Sequence, residues 1–264
     1  MSIKSPVSAS PAANVLVISH HIGYHTKKAK TLVDSLAGLP TYDAPYQIFL
    51  GPPQTTKMHI SDAELDAMRA KIVETGARIY VHSQYILNLC NADDYIADLL
   101  IKNLQYASRA GCQGVVVHVG KSTTKSHDVA MSTMRANVAK VLEHATEACP
   151  LLLETPAGQG TETLTDCTDF VAFVHSFNDP RLRICVDTCH IFASGYEDPL
   201  AYITYIHKKD PSLLKLVHFN DSKAVCGSCV DRHEWIGAGE IGLEKMEQVA
   251  AFCKEIGVDM VYEG

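Results

Sequence analysis

The sequence predicts an α/β protein, a single-domain (β/α)8 TIM barrel, and three observations carry that prediction. Eight short apolar runs rich in β-branched residues alternate with amphipathic stretches of helical spacing, the pattern of parallel strands joined by right-handed crossovers. The 264 residues match the length at which such barrels form one domain. No GxGxxG follows the first run, which weakens the open, dinucleotide-binding sheet as the competing arrangement.

Taken in order, residues 1–14 (MSIKSPVSASPAAN) are expected to be a flexible leader. They are rich in Ser, Ala and Pro and lack the apolar core of a secretory signal. The barrel is then expected over 15–264. Its strands are read at VLVIS (15–19), YQIFL (46–50), RIYVH (78–82), GVVVHV (114–119), LLLE (151–154), RICVD (183–187), LKLVHF (214–219) and MVYE (260–263). Between them, SDAELDAMRAKIVETG (61–76) reads as a helix. Ser61 and Glu64 form a capping-box pattern, and Leu65, Met68 and Ile72 mark its apolar face. Residues 92–111 place Ile96, Leu100, Leu104 and Ala107 on one face and end in a Gly suited to a C-cap. Residues 127–148 follow the same logic. Only Gly264 follows the eighth run, so the barrel is expected to lack its eighth helix, with Glu263 prone to fraying.

Composition bounds the function. A content of 47% hydrophobic and 20% charged residues is ordinary for a globular domain with an independent core. No apolar run is long enough to span a bilayer. The nine cysteines, an odd number without regular spacing, favour reduced thiols and an intracellular setting, cytoplasm or nucleus. The pair in CGSC (Cys226 and Cys229) is compatible with half a structural zinc site, a redox pair or a loop disulfide, and two free thiols is the preferred reading. A net charge of −7 argues against sequence-blind coating of nucleic acid, although bound divalent ions would add local positive charge.

The chemistry lies at the strand ends. From the third strand onward they read His82, His118, Glu154, Asp187, His218 and Glu263. With 13 His and 30 Asp or Glu in 264 residues, six such endings in succession would arise by chance on the order of once in tens of thousands. In a barrel these positions converge on the mouth that carries the active site. His190 follows Asp187 onto the same rim, as do Asp231 and His233, whose i, i+2 spacing lets both face one ion. Any one of these histidines alone would read as an ordinary hydrogen-bonded side chain, as do most of the others; His20, at the end of the first expected strand, is the exception, expected to line the mouth as a candidate DNA contact. Nine candidate ligands exceed what one ion takes and suit a cluster of two or three. Mixed imidazole and carboxylate donors favour Zn2+ or Mn2+ over Mg2+ or Ca2+, and clustered ions suit phosphoryl displacement.

HSQYILNL (82–89), LLLETPAGQGTE (151–162), CVDTCHIFASGY (185–196) and HFNDSKAVCGSCVDRHEWIGAGEIG (218–242) closely resemble the signature segments of the endonuclease IV family, metal-dependent apurinic/apyrimidinic endonucleases of DNA base excision repair. The resemblance runs from the third strand to the end; the first two strands fit more loosely. It implies a trinuclear zinc site. His82, His118 and Glu154 would hold one ion; Glu154, Asp187, His218 and Glu263 a second; His190, Asp231 and His233 a third, with Mn2+ acceptable at one or more positions. The implied reaction is hydrolysis of the phosphodiester 5′ to an abasic site in double-stranded DNA, leaving a 3′-hydroxyl, together with trimming of blocked 3′ ends. A hydroxide bridging two ions would attack, with Glu154 or Glu263 orienting or deprotonating it. Tyr85 stands where the family inserts a rim side chain beside the extruded lesion, and Arg232 is placed to contact phosphate. The loop LGPPQTTKMH (50–59) departs from the family's usual polar and basic wedge; Gln54 or Lys57 would substitute. A monomer is expected.

The set Glu154, Asp187, His218 and Glu263 also resembles metal-dependent sugar isomerases and epimerases of the xylose isomerase-like superfamily. His82, His118, His190, Asp231 and His233 separate the two readings, because a single-metal epimerase has no use for them. A lesion-binding protein that keeps zinc only for stability would not need the bridging Glu154.

Overall fold

The structure, a computed structural model, describes residues 10–264. Elements run α1 (Pro11–His20), β1 (Gly23–His25), α2 (Leu32–Ala37), β2 (Pro45–Phe49), α3 (Asp62–Thr75), β3 (Arg78–His82), α4 (Asp94–Ala110), β4 (Val115–His118), α5 (His127–Leu142) and β5 (Leu151–Glu154). Then come α6 (Cys167–His175), β6 (Leu182–Asp187), α7 (Thr188–Ala193), α8 (Pro199–Lys209), β7 (Leu214–His218), β8 (Asp221–Ser222), β9 (His233–Glu234), α9 (Leu243–Glu255) and β10 (Asp259–Tyr262). Eight parallel strands close in the order β1-β10-β7-β6-β5-β4-β3-β2, and β8 and β9 form a separate two-stranded ribbon. This is the expected TIM barrel.

Seven of the eight expected strands lie within a residue or two of their places. The first does not: VLVIS belongs to α1, and the opening strand is the short Gly23–His25. A capping signal outweighs the β-branched run. Ser10 Oγ accepts the Ala13 N–H (3.2 Å), and Pro11 takes the first helical position, where a missing N–H costs nothing. The leader expected over 1–14 lies outside the described residues up to 9, and from Pro11 onward the chain is helical. Lys254 of α9 bonds the Ser19 carbonyl (2.8 Å), so α1 packs on α9 beside β1. Among the described residues, no helix follows β10.

Ser61 caps α3 by accepting the Glu64 N–H, but the capping box is half formed. Glu64 Oε1 instead accepts the Leu32 N–H (2.9 Å) at the start of α2. Gly76 and Gly111 close α3 and α4 at φ 71° and 81°, left-handed values that favour glycine. Helix α5 stops at Leu142 rather than 148, because Thr146 and Cys149 bond each other's backbone in a turn ahead of Pro150.

Alternation along the strands positions the site. Tyr80, Val116, Leu152, Cys185, Leu216 and Val261 form a buried layer inside the barrel. Two residues further along each strand stand His82, His118, Glu154, Asp187, His218 and Glu263. Pairing sets His118 opposite Glu154 and Asp187 opposite His218. Beneath the apolar layer Arg78 pairs with Asp259 (3.0 Å), which also accepts the Tyr80 hydroxyl (2.8 Å). Leu152 is fully buried in this layer, so Leu152→Ala is expected to cost about 2–5 kcal/mol, read as a lowered urea midpoint with unchanged slope.

Candidate metal centre

The mouth gathers all nine expected ligands into three groups, each with donor atoms within 4.8 Å of one another: His82, His118 and Glu154; Glu154, Asp187, His218 and Glu263; His190, Asp231 and His233. Glu154 links the first two. Its Oε2 lies 3.2 Å from His82 Nε2 and 3.1 Å from His118 Nε2, and its Oε1 lies 3.0 Å from His218 Nδ1. His190 Nε2 stands 3.3 Å from Asp231 Oδ2, and His233 Nε2 stands 3.2 Å from Asp231 Oδ1. Asp187 also starts α7, its Oδ1 accepting the His190 N–H (2.9 Å), so one side chain aims the next.

The outer hydrogen bonds test whether these donors suit a cation. His82 Nδ1 donates to the Ser83 carbonyl (2.7 Å) and His190 Nδ1 to the Thr155 carbonyl (2.9 Å); a carbonyl can only accept. His218 Nε2 donates to Gln47 Oε1 (2.9 Å). Each ring therefore spends one N–H outward and turns its other nitrogen toward carboxylate oxygens. In the neutral imidazole that nitrogen is a lone pair facing other lone pairs, the arrangement found around histidines that ligate metal. The site fits a divalent ion of borderline hardness.

The same convergence of donors shifts the titration of these groups. Burial alone would lower the pKa values of His190 and His218, yet Asp187, Asp231 and Glu154 around His190 hold it well above the usual histidine range. Cys185, Glu263 and Glu154 do the same for His218. Burial would raise Glu154, but His118 and His218 hold it well below the usual carboxylate range. His190 and His233 likewise hold Asp231 down against burial. His82 goes the other way, lowered by burial despite Glu154.

Three residues that the sequence reading passed over complete the site. Gln47 of β2, fully buried, accepts from His218 and donates through Nε2 to Glu263 Oε1 (2.7 Å) and His25 Nδ1 (3.0 Å). Asn220 donates to Asp187 Oδ2 (2.6 Å) and Glu263 Oε2 (3.2 Å), and its Oδ1 accepts the Glu263 N–H (3.0 Å). Glu263 is thus held from three sides, contrary to the fraying expected of it. His25, read as an ordinary histidine, stands at the mouth. The available signal was parity, since Gln47 pairs with inward-facing Tyr80 of β3, the strand that ends in the ligand His82.

Above the donors lies a cavity of about 720 Å3 lined in part by Tyr85, Gln54, Arg232, Trp235, His118 and Glu263. Tyr85 is 47% exposed, its ring edge-on to His82 and Phe49. Its N–H bonds the Pro53 carbonyl (2.9 Å), tying the rim to the loop that carries Gln54. Arg232 Nη1 donates to the Asp231 carbonyl (2.6 Å). Lys57 lies not in this cavity but in an adjoining groove with Lys27, Lys28 and His59. His20 is at neither: it ends α1 beside Lys254, in the last turn of α9. Since α9 leads into the start of β10, this is the end of the barrel away from the mouth. His20 loses its place there because its expected strand is a helix. Cys226 and Cys229 are free thiols, as are the other seven.

A closed eight-stranded barrel with metal-binding donors at its carboxyl end defines a class, and a family model described as xylose isomerase-like TIM barrel matches residues 43–263. The chain is 30% identical to a protein of Mycoplasma mobile named probable endonuclease 4, over 95% of this chain and 92% of that protein. Endonuclease IV from Thermus thermophilus superposes with a TM-score of 0.79 at 26% identity, covering 92% of each chain. A D-tagatose 3-epimerase-like protein superposes at 0.70 with 17% identity, over 92% of this chain and 90% of that one, and shares the fold alone. The chain belongs to the endonuclease IV family and is a nuclease of the hydrolase class.

Gln47 orients a candidate ligand on each of its two sides. Gln47→Leu is therefore expected to weaken divalent-metal binding at the Glu154–Asp187–His218–Glu263 group by roughly 10–100-fold, measured with added zinc by competition with a chromophoric chelator.

Proposed function

We propose that the protein is a zinc-dependent apurinic/apyrimidinic endonuclease of base excision repair. It hydrolyses the phosphodiester 5′ to an abasic site in double-stranded DNA to leave a 3′-hydroxyl, and it trims blocked 3′ ends. The observation that carries this reading is the set of three donor groups, two of them joined through Glu154, beneath one open cavity. A four-ligand epimerase site leaves His82, His118, His190, Asp231 and His233 unexplained. Three zinc ions per chain are the proposed complement, with Mn2+ acceptable at one or more positions. The described residues contain no helix long and apolar enough to cross a membrane. A monomeric enzyme acting inside the cell, in cytoplasm or nucleus, suits its nine free thiols and its DNA substrate. The catalytic domain is proposed to span 15–264, a boundary that falls within α1.

Divalent ions held by the nine ligands would supply Lewis-acid charge to the phosphate and hydroxide at neutral pH. Glu154 or Glu263, each in contact with His218 Nδ1 (3.0 and 3.1 Å), holds the attacking water in line and accepts its proton. Gln47 and Asn220 keep Glu263 aimed. Tyr85 offers a ring face at the rim on which a base flanking the extruded abasic nucleotide stacks, since the missing base lowers the cost of extrusion. Arg232, Gln54 and Lys57 meet the DNA backbone around it.

A duplex with a single tetrahydrofuran abasic analogue tests the reading, because that analogue resists β-elimination. Incision on its 5′ side is expected, lost with chelator and restored by zinc; intact duplex after zinc loading would refute the nuclease assignment to this site. Glu154→Gln is expected to slow incision by about 10²–10⁴-fold. Tyr85→Ala is expected to weaken binding of the abasic duplex by about 1–3 kcal/mol, seen in a binding isotherm at fixed salt.

A further inference from the structure

Asp221 carries no ligand position and lies outside the lining of the cavity, yet its carboxylate is fully buried and saturated by backbone amides. Oδ1 accepts from the N–H of Ser222 (2.8 Å), Ile241 (3.0 Å) and Gly242 (3.4 Å); Oδ2 accepts from Gly237 (2.9 Å) and Gly239 (3.1 Å). Four of these five donors come from one loop, 237–242, which curls around the carboxylate as backbone nests curl around a bound anion. Among the described side chains, no cation pairs with Asp221. The cage is glycine-dependent: a Cβ at Gly239 would sit 2.4 Å from the Ser222 carbonyl and 2.5 Å from Asp221 Oδ1.

The other end of the same segment carries Asp231 and His233. Asp221 and Ser222 form β8, paired antiparallel with β9 in the register Asp221 to Glu234 and Ser222 to His233. Lys223 N–H bonds the Arg232 carbonyl (2.8 Å), and Glu240 N–H bonds the Ser222 carbonyl (2.7 Å). Asp221 therefore holds the ribbon that presents two ligands of the third group from both sides. His190, the remaining ligand, is set independently by α7. The first two groups take their ligands from the ends of barrel strands, with Glu263 directly after β10, and none from the loop 237–242.

We propose that Asp221 is a positioning residue for the third ion, an internal anion on which the metal-bearing loop is folded. This rests on the trinuclear reading above. Asp221→Asn places an amide group against backbone N–H donors and should open the cage without emptying it. Gly239→Ala attacks the same cage from the other side. Asp166→Ala, which removes the cap of α6 (its side chain accepts from the Thr168 and Asp169 N–H), is the control for general destabilisation.

The experiment titrates metal-free full-length chain with zinc, counts bound ions by mass spectrometry of the native protein, and follows amide exchange over 231–242. Wild type and Asp166→Ala are expected to take three ions. Asp221→Asn and Gly239→Ala are expected to take two, with exchange over that loop at least tenfold faster. Adding His233→Ala to Asp221→Asn should lower the count no further, which assigns the lost ion to the third group. Three ions in Asp221→Asn with loop exchange unchanged, or an equal loss of ions in Asp166→Ala, would overturn the proposal while leaving the trinuclear reading in place. Fewer than three ions in wild type would instead overturn that reading and Asp221's role with it.

Discussion

Two hydrogen-bond acceptors cannot face each other in a dry interior without a cation or a proton between them, and the mouth of this barrel is built on that constraint. Glu154 lies at its centre, buried, with His82, His118 and His218 nitrogens within 3.2 Å of its oxygens. The outward N–H of His82 is fixed on a carbonyl and that of His218 on an amide oxygen, so neither ring can turn to donate its only proton inward and relieve the conflict. Charge is required at the point where lone pairs converge. The carboxylates around His190 and His218 hold both imidazole pKa values well above the usual histidine range, and divalent ions would meet the same need with ligand bonds. The structural elements around the mouth keep those lone pairs from escaping.

The same constraint reconciles an acidic chain with a polyanionic substrate. A net charge of −7 repels a duplex at long range, and a uniformly basic face would instead give sequence-blind affinity along it. Here positive charge is local. Lys27, Lys28 and Lys57 line one groove beside the mouth, Arg232 and Lys121 line the central cavity, and each bound ion would add two charges where the scissile phosphate must sit. Backbone affinity is concentrated where chemistry occurs.

Much of this was legible in the sequence because barrel strands obey a period of two. A ligand at the strand end and an apolar residue two positions earlier read as one pattern in VVVH, LLLE, CVD and LVH, and the site follows once the strands close. What escaped lacked such a pattern. VLVIS has strand composition, but Ser10 and Pro11 ahead of it start a helix; moving that run moved His20 away from the mouth and left His25 in its place. Gln47 looked like a polar residue in an apolar run, and its role depends on His218 and Glu263, which lie 171 and 216 positions away. Asp221 stood next to recognisable ligands, and nothing local showed that its partners would be amides of a glycine loop.

The coupling of core and site goes deeper than convergence on a common mouth. Because ligands and inner-layer residues share parity, a slip of one residue in any barrel strand would turn its ligand outward and its apolar partner with it. Tyr80, Val116, Leu152, Cys185, Leu216 and Val261 therefore do more than fill the barrel: their burial locks the register that aims the donors above them. Strand β6 shows the adjustment this demands. A bulge between Ile184 and Cys185, where the pairing passes over Lys215, brings Cys185 opposite Leu216 and Asp187 opposite His218. Without that irregularity, inner layer and ligand row would fall out of step on one strand, and Asp187 could reach neither Asn220 nor the second group. In this barrel the packing of the floor and the geometry of the mouth are one requirement, imposed strand by strand.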